Sequence, residues 1–162
     1  MLFRLSKYWT WIPLCLAAAS CSTIVTPDYT LQDGHLAPCP PNRDCVSSQE
    51  QDPNLYIAPL HFDSNRDRAH ADLLAAITSV GQGRIVSNHR NYLRVEYPST
   101  VSGTGSANYP YQPESAVDEV EFYLPPTGRS IEMRSLGKQG ILDTGSNRDR
   151  LEAIRTAFQK LQ

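Results

Sequence analysis

A chain of 162 residues is about the size of one domain with a modest appendage. Its 40% hydrophobic content, with 9 Gly and 12 Pro, excludes collagen-like, coiled-coil and wholly disordered chains. The 15 Lys and Arg against 17 Asp and Glu give a formal charge of -2, without the basic excess that drives non-specific nucleic-acid binding. Placement says more than totals: Trp9, Trp11, Cys15 and Cys21 all fall at the N-terminal end.

Residues 1–20 carry Arg4 and Lys7, then an apolar run from Tyr8 to Ala19, then small residues leading into Cys21. This is the order of an export signal. The run is interrupted by Pro13 and is shorter than the ~20 residues that cross a bilayer as a helix. Ala18-Ala19-Ser20-Cys21 resembles the lipobox of bacterial lipoproteins, which implies cleavage before Cys21 and acylation of that cysteine. Several acyl chains hold a protein to a membrane durably, whereas one is marginal. Ser22, in place of aspartate, implies by the same resemblance the periplasmic face of the outer membrane. Loss of Arg4 and Lys7 with the signal takes the formal charge from -2 to -4.

Residues 21–54 are poor in large apolar side chains and rich in Pro, Asp, Gln and Ser, the composition of a tether. Cys39 and Cys45 lie within it. In an oxidising compartment two such cysteines most simply form a disulfide. Two free thiols are the alternative, and metal binding needs further ligands that no nearby Cys or His pair supplies.

Residues 55–162 carry the globular signals. Leu55 to Leu60 is a short apolar run whose Pro59 suits an edge strand or strand end. A helix is expected from about Asn65 to Val80, with Asp63 or Ser64 as N-cap and Gly81 as stop; Leu73, Leu74, Ile77 and Val80 face the core. Arg84–His89 and Tyr92–Tyr97 alternate as a hairpin around Asn88–Asn91. A second hairpin places Val120, Phe122 and Leu124 against Ile131 and Met133, turning at Pro125–Gly128. Between the hairpins, Ser99–Ser115 reads as a long loop. The last helix begins after Ser146, where Ser146 and Asp149 have capping-box spacing, and aligns Leu151, Ile154, Phe158 and Leu161. Strand, helix, four strands, helix predicts an α+β domain: an antiparallel sheet of about four to five strands with two helices on one face.

The most polar, glycine-punctuated stretch joins the last strand to the last helix, from Arg134 to Arg148. Backbone amides at a helix start attract anions. Arg134, Ser135, Asp143, Asn147 and Arg148 therefore form a candidate site for a small anionic ligand. The competing reading is structural: Asp143 and Asn147 bond loop amides, and Arg148 or Arg150 pairs with Asp118 or Glu121. Neither His61 with Asp63 nor His70 with Asp72 has the spacing of a helical zinc site. Ser47 and Ser48 lack a nucleophile elbow. No P-loop or dinucleotide fingerprint occurs, so no metal, cofactor or catalytic residue is expected.

Three stretches together carry a family resemblance: Pro41 to Ser48, Val117 to Phe122, and Arg134-Ser135 followed by Asp143 to Arg150. Their order and spacing resemble the family catalogued as domain of unknown function 1499, from about Cys39 to the C-terminus. This chain differs in inserting Arg43-Asp44 before the cysteine and in having Gly137-Lys138 where the family has a Ser-Arg pair. The resemblance implies domain limits and no reaction. The expected function is a non-enzymatic binding or interaction module, tethered to the envelope membrane by its lipid and meeting an envelope protein; an enzyme or sensor for a small anionic ligand is the alternative.

Overall fold

The computed structural model describes residues 31–41, 44–99, 117–137 and 145–162. Its elements run β1 (Cys45–Ser47), β2 (Leu60–His61), α1 (Arg66–Val80), β3 (Arg84–His89), β4 (Tyr92–Pro98), β5 (Val117–Tyr123), β6 (Ser130–Gly137) and α2 (Ser146–Gln159). Together the strands make a six-stranded antiparallel sheet in the order β1-β6-β5-β4-β3, with β2 also on β6. The expected α+β architecture is present.

The two-residue period of the strands decides which side chains meet the helices. Leu93, Val95 and Tyr97 of β4, Val120 and Phe122 of β5, Ile131 and Met133 of β6 and Val46 of β1 all enter one core. Ala69, Leu73, Ala76 and Ile77 of α1 and Leu151, Ile154 and Phe158 of α2 close it from above. Both helices thus lie on the same face. No helix among the described residues is long and apolar enough to cross a membrane.

Capping follows side-chain reach. Asn65 caps α1, not Asp63 or Ser64, because its Oδ1 accepts the Arg68 amide at 2.9 Å. Gly81 ends α1 with φ 79°, a left-handed angle that glycine adopts without a Cβ clash, as expected. The capping box expected at Ser146 does not form: Gly145 is the N-cap, Ser146 is already helical, and its Oγ is buried without a hydrogen bond. Since α2 stops at Gln159, Leu161 leaves the apolar stripe and is 39% exposed.

The largest departure is at the front of the domain. Cys45–Ser47, expected in the tether, pairs with Leu136–Arg134 of β6 and closes one sheet edge. Folding therefore begins well before Leu55. Conversely, of the first apolar run only Leu60 enters a strand, together with His61 beyond it. Pro59 has no amide to donate, and the carbonyls of Ala58 and Pro59 accept hydrogen bonds from Arg155 of α2. The first hairpin has the expected limits except that its second strand runs on to Pro98, with a bulge between Ile85 and Ser87. From residue 100 the expected long loop lies outside the described residues.

Candidate functional site

The same alternation divides the candidate polar residues. Ser135 points to the helix-covered face and Arg134 to the outer one, so the two never share a site.

At the end of the helix-covered face, Ser135 Oγ donates to Asn147 Oδ1 at 2.5 Å, and Asn147 Nδ2 donates to the Asp44 carbonyl at 3.1 Å. Arg150, one turn along α2, donates to Ser135 Oγ at 3.1 Å, to Asn147 Oδ1 at 2.9 Å and to Asp118 Oδ2 at 2.6 Å. Its guanidinium lies 5.1 Å from the Tyr97 ring centroid, within cation–π range. The network holds a buried charge pair and buries four further polar groups against it. Tyr97 is its irregular member: the hydroxyl is buried without a hydrogen bond, and burial pushes the phenol above its ordinary range while Arg150 opposes this. Gly83 allows the ring in, since a Cβ there would stand 2.7 Å from the Tyr97 Cζ.

On the outer face, Arg134 pairs with Glu121, and the Tyr92 hydroxyl donates to Glu121 Oε1 at 2.6 Å. Glu121 and Tyr92 are fully buried, and Arg134 nearly so. Beside them Arg94 lies 3.8 Å from Glu119. A charged pair out of water must be compensated by geometry and further hydrogen bonds, and Tyr92 supplies one of them.

Arg148 is elsewhere again. Its two terminal nitrogens donate to the carbonyls of Tyr56 and Asn54, both at 2.9 Å. Together with Arg155 it ties the loop between β1 and β2 to α2. Asp143 and Cys21 lie outside the described residues. The structure thus brings together Ser135 and Asn147 and separates Arg134 and Arg148 from them. Arg150, Asp118, Asp44 and Tyr97 complete the network that sequence reading centred elsewhere. The signal for Arg150 and Asp118 was their charge: the structural alternative paired them, and the i, i+3 step from Asn147 puts Arg150 on the same side of the helix.

Cys39 and Cys45 are disulfide-bonded, with 5.7 Å between Cα atoms. Asp72 accepts from Arg68 Nε at 2.8 Å and from Gln162 Nε2 at 3.2 Å, and the buried His70 Nε2 has no hydrogen bond among the described residues. Among the described residues no group of three His, Cys, Asp or Glu could hold a metal. Near the start of α1 the exposed Asp67 is held below the usual carboxylate range by a hydrogen bond from Arg90 and by its charge.

No curated protein and no solved structure matches the chain. A family model matches residues 35–158, described as Protein of unknown function (DUF1499). That span starts ahead of the disulfide and ends within α2, covering the sheet and most of both layers. By this match the chain belongs to the DUF1499 family of proteins of unknown function.

Proposed function

We propose that this protein is an exported, lipid-anchored domain of the bacterial cell envelope, held on the periplasmic face of the outer membrane through Cys21, where it acts by binding an envelope partner. The Cys39–Cys45 disulfide carries this reading. Stable bridges belong to oxidising compartments, and this one agrees with the positive, apolar and small-residue order of residues 1–20 ahead of Cys21. Only residues 22–30 separate Cys21 from Leu31, the first described residue. Such a segment reaches at most about 35 Å, so the anchor keeps the domain close to the lipid surface.

Binding in preference to anion chemistry is supported by what the candidate cations do. Arg134 is committed to Glu121, Arg148 to two carbonyls and Arg150 to Asp118. An anionic ligand at the head of α2 would have to displace the partners of Arg148 and Arg150, and Arg134 lies on the opposite face of the sheet.

The test is Cys21→Ser in the native host. Membrane association and incorporation of labelled fatty acid are both expected to disappear. Unchanged partitioning into detergent would overturn the anchor. Cross-linking in intact envelopes followed by purification tests the partner, and recovery of the protein alone would count against a binding role.

A further inference from the structure

The segment Leu31–Pro41 lies across the outer face of the sheet. Gln32 and His35 exchange backbone hydrogen bonds, each 2.9 Å, around a turn with positive φ at Asp33 and Gly34. Leu36, 4% exposed, packs on Tyr92 and Tyr123, with Leu31 beside it. These two tyrosines form the row next to the Glu121–Arg134 pair on this face, and the Tyr92 hydroxyl reaches Glu121.

Among the described residues the attachments of this strap are few. Among the described residues its amides reach no strand of the sheet. Leu36 N donates to Gln49 Oε1 at 2.8 Å and Cys39 N to Glu50 Oε1 at 2.6 Å. Both acceptors are side chains of the turn after β1. A groove of about 440 Å³ separates strap residues His35–Pro38 from Ser47 and that turn. Among the described residues, the other attachments are the Leu36 packing and the bond from Cys39 to Cys45. The core under the helices contains none of these residues.

We propose that Leu31–Pro41 is a redox-releasable strap: the Cys39–Cys45 disulfide holds it over the outer face, and reduction frees it while the sheet and helices stay folded. The bond is asymmetric. Cys45 is 2% exposed in β1, whereas Cys39 is partly exposed at the strap's end. The thiolate of a dithiol reductant attacks Cys39 Sγ, and the sulfur–sulfur bond breaks with Cys45 leaving as a thiolate that takes up a proton. The second thiol of the reductant then attacks its own sulfur in the mixed disulfide and releases Cys39. Two electrons and two protons pass to the protein, and the reductant departs as a cyclic disulfide. The freed strap uncovers Tyr92 and Tyr123. This inference uses the bridge and the packing alone, and does not depend on the lipid anchor.

Amide hydrogen exchange on the purified full-length protein, before and after dithiothreitol, tests it. Two thiols should appear, and exchange at Leu36 and Cys39 should rise by about 10- to 50-fold, the size expected for opening a short covalent loop. Exchange at Phe122 and Met133 should stay as it was. Cys39→Ser should reproduce the strap effect without reductant; if that variant does not accumulate, dithiothreitol on the wild type still decides. Unchanged strap exchange after reduction would overturn the proposal, as would a bridge that dithiothreitol cannot reduce. Equal acceleration in β5 and β6 would also overturn it, because the disulfide would then be a staple of the whole fold.

Discussion

The two faces of this sheet are built from the same strands and stabilised by different physics. The helix-covered face buries Leu, Val, Ile, Phe and Met against two helices, with one polar network at its end. The outer face buries Glu121, Arg134 and Tyr92, and carries a strap whose Leu36 packs on Tyr92 and Tyr123. An apolar face tolerates loss of one contact in proportion to the volume removed. A buried charged face does not, because removing one partner leaves the other unsolvated. Polar positions on alternating strands are therefore a poor guide to exposure here: they mark a second interior.

The largest expected effect comes from breaking that second interior. Glu121→Ala should cost about 3–5 kcal/mol by chemical denaturation, since Arg134 is then buried without its carboxylate. The double variant Glu121→Leu with Arg134→Met should recover most of the loss. A double variant as unstable as the sum of the singles would show that the two do not act as a pair. Next is the polar end of the helix-covered face. Arg150→Met should cost about 2–3 kcal/mol, leaving Asp118 buried without its cation and Asn147 with fewer partners. A loss below about 0.5 kcal/mol, the range of ordinary surface changes, would mean water replaces the guanidinium freely.

The smallest effect sharpens the contrast by its sign. Tyr97→Phe removes a buried hydroxyl that has no hydrogen bond, so stability near neutral pH should be unchanged or rise by up to about 1 kcal/mol. The wild type should also lose stability in alkali for a reason the variant lacks. Below about pH 10 both folded and unfolded chains keep this phenol protonated. Above it the unfolded chain ionises first, because burial raises the folded value; the folded state then binds more protons and stability falls as pH rises. Melting temperatures of both proteins between about pH 9 and pH 11 measure this. Identical alkaline losses would remove Tyr97 from the account.

Much of the fold was legible because periodicity is strong over long elements. The α1 limits, Gly81 as its stop and both hairpins follow from spacing alone. β1 was not legible. Three residues show no period, and Cys45–Ser47 becomes a strand only because β6 offers it an edge. Caps also escaped, since Asn65 and Gly145 compete with adjacent residues of equal propensity and local geometry chooses between them. The candidate site was legible as a set of polar residues and illegible as an arrangement. Ser135 and Asn147 meet, while Arg134 and Arg148 turn to Glu121 and to the Asn54 and Tyr56 carbonyls.

By itself the sequence determined the α+β class, the helices and the hairpins, because these depend on residues close along the chain. Tertiary structure alone decided that β1 and the Leu31–Pro41 segment belong to the domain, that Arg150 finds Asp118, and that the outer face is an interior. Those features join residues far apart in sequence, and burial, which turns a polar residue into a structural one, is a property of what packs above it.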